Sequence, residues 1–214
     1  MNGLAATACW GPDEFFSDVT LLESEYENVL AEFQAAYEKH WPDGWLINNT
    51  PTGEWAVYHL RNQGIVNKAN CDKCPKTVKL LDTLVSTMTG NVFANASFSV
   101  VQPGTHITPH YGPTNIRLRC HMGLRIPNSK SSYININGNR KHWREKECLI
   151  FDDSFLHEVH HEDEGDQPRA ILLVDLWHPE LNATEREVIN DLFHLNRSVG
   201  TPIRIPAIPI EVQL

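Results

Sequence analysis

The chain has 214 residues, of which 41% are hydrophobic, and a formal net charge of −9 at pH 7. This length suits a single domain with a sizeable core. The negative charge argues against non-specific binding to nucleic acid or to an anionic membrane surface. Its apolar runs are too short to span a bilayer, so we expect no membrane insertion.

The first residues and the cysteine count bear on the compartment. Residues 1–16 lack the basic segment and the long apolar segment of a secretory signal. Five cysteines are an odd number for a disulfide framework. Both features favour a reducing compartment, and we therefore expect a cytoplasmic location.

Helical periodicity dominates the beginning of the chain. Residues 1–50 are predicted to form an arm and then a helix over Leu21–His40, whose apolar residues share one face. Alternating residues predict a strand within Trp45–Asn62. A second helix is predicted over Thr77–Met88, with Pro75 in its first turn.

A CxxC motif, Cys71-Asp-Lys-Cys74, precedes the second helix. Such a motif is a redox pair, half of a zinc site, or a structural pair. A second CxxC motif, which a four-cysteine zinc site needs, is absent from the sequence. We therefore favour the structural interpretation.

From Asn91 the hydrophobic period changes to two, which predicts strands. In the segment Ile116–Ile126 one face is apolar. The other face consists of Arg117, Arg119, His121, Gly123 and Arg125. A solvated face is the simpler interpretation, but a row of cations without a carboxylate also suits an anionic ligand.

Further strands and turns complete a predicted β core over residues 91–177. They are a hairpin from Tyr133–Asn137 through Gly138-Asn139 to Trp143, and strands at Cys148–Phe151 and Ala170–Trp177. A capping box at Thr184–Glu187 predicts a helix to about Asn196, and residues 198–214 are predicted to be an extended C-terminal arm.

This order of elements predicts one domain over 1–214. Its fold is expected to be mainly β with flanking helices: a double-stranded β-helix, or cupin-like jelly roll, with the helices packed on one face.

Histidines cluster in the predicted core. The cluster comprises His106, His110, His121, His157, His160 and His161. The segment His157-Glu158-Val159-His160-His161 matches HExxH, which on a helix binds zinc in metallopeptidases. The segment offers few apolar anchors for a helix and no third ligand at a familiar short spacing, so we treat this as an alternative.

A second grouping pairs His110 with His157. Non-haem iron oxygenases bind Fe(II) through two histidines and a carboxylate, and the carboxylate usually lies two residues after the first histidine. Gly112 occupies that position here. Either another acid substitutes, with Asp152 and Asp153 as candidates, or water completes the site.

Three long motifs resemble the catalytic domain of the aspartyl/asparaginyl β-hydroxylase family. They are PGTHITPHYGPTNIRLRCHMGL, LIFDDSFLHEV and VDLWHPEL, and the resemblance runs from about Gly53 to Leu181. The family consists of Fe(II)- and 2-oxoglutarate-dependent dioxygenases that bind iron with two histidines and have a glycine in place of the carboxylate.

The resemblance implies roles for individual residues. His110 and His157 match the iron ligands. Ser99, Arg119, His121 and Arg169 match positions that bind 2-oxoglutarate, with Arg169 on its distal carboxylate. We assign Arg117 and His106 to substrate contacts as hypotheses, and Asp152 and Asp153 to orienting His157 or a water molecule.

The implied reaction hydroxylates a C–H bond with O2 and 2-oxoglutarate and releases succinate and CO2. The expected substrate is the β-carbon of an Asp or Asn residue in a peptide or protein, or a related small acidic molecule. Two alternatives remain open: a non-catalytic metal-binding jelly roll used as a sensor or scaffold, and the zinc metallopeptidase.

Overall fold

The computed structural model describes residues 1, 3–127, 130–162 and 165–194. The strands are β1 (Cys9–Trp10), β2 (Trp45–Asn48), β3 (Trp55–Asn62), β4 (Ile65–Val66), β5 (Ala96–Val101), β6 (Thr105–His110), β7 (Arg117–Arg125), β8 (Ser132–Ile136), β9 (Asn139–His142), β10 (Cys148–Phe151), β11 (His157–His161) and β12 (Arg169–Trp177). The helices are α1 (Phe16–Ser24), α2 (Tyr26–Gln34), α3 (Lys68–Lys73), α4 (Pro75–Thr83) and α5 (Ala183–Leu192).

Within the described residues the strands form two antiparallel sheets. The larger has the order β1-β10-β7-β12-β5-β3-β2, with β4 paired to β3, and the smaller has the order β6-β11-β8-β9. Buried residues from both sheets meet in one cluster, which includes Ile134 and Val159 of the smaller sheet and Ile171 of the larger one. The two sheets therefore enclose a common interior, which confirms the predicted jelly roll.

The two faces of the larger sheet have different partners. Leu118 and Met122 of β7 pack with Phe33 of α2 and Leu81 of α4 in the main hydrophobic cluster. The helices thus cover the apolar face, as predicted. The alternate face of β7, with Arg117, Arg119 and His121, is turned to the interior between the sheets rather than to solvent. Arg125, predicted on the same face, lies on the helix side instead, over the Phe33 ring and 2.7 Å from Glu38. The register between β7 and β12 shifts just before it, which reverses the faces at this end of the strand.

The predicted helix over Leu21–His40 is two helices, α1 and α2. They are separated at Glu25, whose backbone leaves the helical region (φ −92°, ψ 8°), and α2 continues into a π-helical turn over Ala35–Lys39. The predicted strand within Trp45–Asn62 is likewise two strands, β2 and β3, which pair with each other.

Helix α4 ends at Thr83, earlier than the predicted Met88. The carboxylate of Asp18, in α1, accepts hydrogen bonds from the backbone N–H groups of Val85 and Ser86, at 3.0 and 2.8 Å. These N–H groups would otherwise continue the helix. A contact distant in sequence therefore sets this boundary.

The hairpin turn and the capping box of α5 both form, but at positions slightly different from those predicted. The hairpin turn lies at Asn137 and Gly138, both with positive φ as a type I′ turn requires, one residue before the predicted turn. The capping box of α5 uses Asn182 and Glu185 rather than Thr184 and Glu187. Helix α5 ends at Leu192, earlier than the predicted end near Asn196, because Phe193 leaves the helical conformation. The predicted C-terminal arm lies outside the described residues.

The CxxC pair does not form a disulfide. Cys71 and Cys74 are free thiols, and burial raises the pKa of Cys74 to about 12. A thiol held in its neutral form is a poor nucleophile and a poor metal ligand, which agrees with a structural role. In the described part of the chain, every helix is too short or too polar to cross a membrane.

Candidate active site

His110 and His157 lie opposite each other on paired strands, β6 and β11. Their ring centroids are 4.1 Å apart with an interplanar angle of 53°. In each ring Nδ1 lies next to a backbone carbonyl oxygen, 2.8 Å from Thr108 and 2.9 Å from Phe155. A carbonyl only accepts hydrogen bonds, so Nδ1 carries the proton and Nε2 keeps the lone pair that a metal ligand needs.

A β-bulge brings this pair together. Val159 pairs with Ile107 and His160 with His106, whereas His157 pairs with His110, so β6 has one extra residue between these pairs. In a regular strand His106 and His110 would share a face. The bulge turns His110 to the interior and leaves His106 on the outer face of the smaller sheet.

Both histidines are held in the form that binds metals. Burial lowers the pKa of His110, and burial together with the neighbouring His110 lowers the pKa of His157 to about 4. Both rings are therefore neutral at pH 7, and neutral imidazole is the ligand that Fe(II) takes.

The space of a third ligand is occupied by Asp153. A β-carbon at position 112 would overlap its carboxylate, and the amide of Gly112 donates to its backbone oxygen at 2.5 Å. The Asp153 carboxylate is paired with Arg117 at 2.6 Å. Among the described residues, a further carboxylate or cysteine does not join His110 and His157 in a three-ligand group. The geometry fits an ion bound by two histidines and water.

The neighbouring acid, Asp152, has a local contact. Its carboxylate accepts a hydrogen bond from the amide of Ser154 at 2.8 Å, while its own amide donates to Ala8 at 3.2 Å. These contacts hold the loop that leads from β10 to β11, and hence the position of His157.

The cations of β7 are paired with carboxylates from other elements. Arg117 contacts Asp175 of β12 at 3.1 Å, and Arg119 contacts Asp175 at 2.9 Å and Asp153 at 3.4 Å. The guanidinium of Arg117 is buried and has a carboxylate on two sides. This placement does not support the predicted contact of Arg117 with an acidic substrate, because its charge is already neutralised.

Arg169 is the contrasting case. It begins β12, is 1% exposed, and lies over the Trp143 ring at 4.5 Å. Among the described residues, which leave out positions 163 and 164, its Nε and Nη1 atoms have no hydrogen-bond partner. Burial lowers its pKa to about 9, so it stays charged at pH 7. A buried, unpaired cation is costly, and a carboxylate ligand would remove that cost.

His121 and Ser99 share the interior face with Arg169. The indole N–H of Trp143 donates to Nδ1 of His121 at 3.3 Å, so Nε2 of His121 carries the proton. This Nε2 points into the interior, where the described part of the chain offers it no partner. Ser99 accepts a hydrogen bond from the indole N–H of Trp55 at 3.0 Å. The unpaired Arg169 and His121 donors fit a dianion such as 2-oxoglutarate.

Sequence reasoning missed three supporting residues. Trp143 and Trp55 orient His121 and Ser99, and Asp175 neutralises two arginines. The alternation of β12 indicates that Asp175 faces inward. Spacing does not show which strands pair, so the partners of these residues follow only from the fold.

The metallopeptidase alternative is wrong. It requires His157 and His161 on a helix, and the segment forms strand β11. Glu158 and His160 point to the opposite face of the sheet from His157. The His106 side chain, a predicted substrate contact, also lies on that outer face, 2.9 Å from Glu158.

A family model described as Aspartyl/Asparaginyl beta-hydroxylase matches residues 18–179. Aspartate beta-hydroxylase domain-containing protein 2 from Xenopus tropicalis is 48% identical over 181 residues, which are 82% of this chain and 48% of that protein. The protein of the same name from Homo sapiens is 45% identical over 195 residues, 89% of this chain and 52% of its own.

A human protein named Aspartyl/asparaginyl beta-hydroxylase is 38% identical over 192 residues, 87% of this chain and 24% of that protein. The chain spans about half the length of the first relatives that it matches. A solved structure, the non-heme alpha ketoglutarate dependent epimerase SnoN from nogalamycin biosynthesis, covers 74% of this chain and 82% of its own, with 10% identity and a TM-score of 0.46.

Proposed function

This chain belongs to the aspartyl/asparaginyl β-hydroxylase family, and from that premise we propose that it is an Fe(II)- and 2-oxoglutarate-dependent dioxygenase. One observation carries the proposal: the interior holds two neutral histidines and, on the facing sheet, a buried arginine to which the described residues offer no counter-ion. The two histidines suit a metal ion, and the arginine suits a dicarboxylate.

Each residue has a defined task in this proposal. His110 and His157 bind the iron through Nε2. Arg169 would bind the distal carboxylate of 2-oxoglutarate with Ser99, and His121 would donate to the other end of the molecule. Arg119, which was predicted to bind 2-oxoglutarate as well, is already paired with Asp175 and Asp153, so it would act beside His121 through its position rather than as a free donor. Iron, 2-oxoglutarate and O2 supply the oxidising power for C–H hydroxylation, with release of succinate and CO2.

The remaining interior residues position and protect this site. The pairs of Asp153 and Asp175 with arginines neutralise charge beside the ligands without adding a third ligand. The apolar contacts of Phe151 and Trp143 with His121 exclude water and fix its ring. Orientation of this kind is the protein's main contribution when a cofactor does the chemistry.

The proposed substrate is an Asp or Asn residue of a peptide, hydroxylated at the β-carbon, or a small acidic molecule. A cytoplasmic location stays a prediction from the sequence. The substrate class is proposed from the family to which the chain belongs.

The experiment incubates the protein anaerobically with Fe(II) and 2-oxoglutarate, admits O2, and follows succinate together with the mass of candidate peptides and metabolites. We expect succinate and a substrate mass gain of one oxygen atom. His157→Ala should abolish both, whereas His142→Ala, which changes an exposed histidine on β9, should keep both. Binding of 2-oxoglutarate without succinate would instead identify a sensor or scaffold.

A further inference from the structure

A second histidine cluster lies on the outer face of the smaller sheet. It consists of His106 of β6 with Glu158 and His160 of β11, whose side chains are 34%, 21% and 18% exposed. Because side chains alternate along a strand, these residues point away from the interior that holds His157. The dioxygenase reaction does not use them.

The two histidines converge on one carboxylate oxygen. Nε2 of His106 is 2.9 Å from Oε2 of Glu158, and Nε2 of His160 is 3.1 Å from the same atom. Ligand atoms about 2.0–2.1 Å from a tetrahedral zinc ion are separated by about 3.3 Å. The three donor atoms lie within 4.8 Å of one another. An ion between them therefore requires the two imidazoles to tilt towards each other, by up to about 1.5 Å at their Nε2 atoms.

The surrounding residues hold the donors in place. The His160 ring is stacked between His106, with centroids 4.1 Å apart, and Tyr133, at 4.7 Å. Asn135 donates to the other oxygen of Glu158 at 3.1 Å. Ligands whose rotamers are fixed in this way lose little entropy when an ion binds.

A second carboxylate, that of Glu162, contacts the other ring nitrogen of His160. Oε1 of Glu162 is 3.3 Å from Nδ1 of His160 and accepts a hydrogen bond from the hydroxyl of Tyr133 at 2.9 Å. Metal-binding histidines commonly donate their other ring N–H to a carboxylate, which fixes the tautomer and strengthens the ligand. In the ion-free protein both ring nitrogens of His160 lie beside carboxylate oxygens. An ion would displace the proton of Nε2, while Glu162 keeps the proton on Nδ1.

We propose that His106, Glu158 and His160 form a second metal site that binds zinc, with water in the fourth position. Two imidazoles and one carboxylate are donors that Zn2+ binds well. The ion would join β6 to β11, the same strands that hold His110 and His157 on the inner face. Zinc at the outer site would thus stabilise the pairing on which the inner site depends.

The test counts ions and needs no turnover, so it is independent of the dioxygenase proposal. Protein without a histidine tag is stripped of metal, and zinc is titrated into the inner-site variant His110→Ala/His157→Ala against a chromophoric chelator. We expect one zinc ion per chain. Adding Glu158→Gln should abolish this binding, and adding Glu162→Gln should weaken it about 10–100-fold. The matched control, His142→Gln, should leave it unchanged.

Zinc that fails to bind the inner-site variant, or that binds equally well with Glu158→Gln, overturns the proposal. If the inner-site variant does not fold, the titration is done on the unmodified protein and on Glu158→Gln alone. We then expect the number of bound zinc ions to fall by one in the variant. If the unmodified protein and Glu158→Gln bind the same number of zinc ions, the proposal is overturned.

Discussion

Gly112 packs against Asp153 so closely that a β-carbon at position 112 would overlap the carboxylate. The Asp153 side chain is fully buried and paired with Arg117 and Arg119, so it has no room to move aside. The position that provides an iron ligand in a facial triad is therefore closed to every side chain. The two-histidine site is a consequence of packing as well as of sequence.

The first prediction concerns Gly112→Ala. The added methyl group must displace a carboxylate that two arginines hold, so we expect the free energy of unfolding to fall by about 1–3 kcal/mol. Urea denaturation measures this change. Gly11→Ala is the control, because a β-carbon there has no neighbour nearer than 3.6 Å. Equal stability of the two variants would mean that Asp153 gives way.

The second prediction concerns Arg169→Gln. Loss of the buried cation should weaken 2-oxoglutarate binding by at least about 30-fold, since one partner of a buried charge pair typically contributes 2 kcal/mol or more. The ligand-free protein should be no less stable, because an unpaired buried charge has been removed. Calorimetry measures the affinity for 2-oxoglutarate, and thermal unfolding measures the stability of the ligand-free protein.

Arg144→Gln serves as the control for Arg169→Gln. Arg144 is exposed and is paired with the exposed Glu147 at 3.4 Å, so the change should affect neither quantity. Wild-type affinity in Arg169→Gln would show that another cation anchors 2-oxoglutarate. A large loss of stability would show that Arg169 has a partner in the ligand-free protein.

The third prediction concerns Asp175→Asn. Asp175 is fully buried and accepts hydrogen bonds from Arg117, Arg119 and Asn95. Its neutralisation leaves two buried guanidinium groups undercompensated, and we expect a loss of about 3–5 kcal/mol of unfolding free energy. Asp72→Asn breaks an exposed pair with Lys68 and should cost less than about 1 kcal/mol. Similar losses in both variants would contradict the buried network.

The fourth prediction concerns pH. Burial lowers the pKa of His59 to about 4, against about 6.5 in an unfolded chain. Between these values the unfolded state binds the proton more tightly. Stability is therefore complete above pH 6.5 and falls as the pH drops towards 4, by up to about 3 kcal/mol from this group.

His59→Gln should flatten this dependence, measured as the free energy of unfolding between pH 7 and 4. The exposed His142→Gln is the control and should keep the wild-type slope. The same slope in both variants would show that His59 is protonated in the folded protein as readily as in the unfolded chain.

Local patterns in the sequence were sufficient for much of the fold. The alternation in Ile116–Ile126 predicted strand β7 and its apolar face, because side-chain direction in a strand depends only on position parity. The helix boundaries were less accurate. Asp18, distant in sequence from Thr83, ends α4 because its carboxylate accepts hydrogen bonds from two backbone N–H groups. Periodicity in the sequence does not reveal such a contact.

For the site, the motifs indicated the residue types. They are two histidines, a glycine in place of the usual carboxylate ligand, two adjacent acids, and basic residues on one strand face. Sequence alone determined these chemical groups and the face of β7 on which Arg117, Arg119 and His121 lie, whereas a register shift places Arg125 on the other face. Tertiary structure decided which groups are available. The bulge in β6 turns His110 inward, Asp153 and Asp175 neutralise Arg117, and Arg169 has no such carboxylate among the described residues. These outcomes depend on strand pairing between distant segments, which spacing along one chain does not encode.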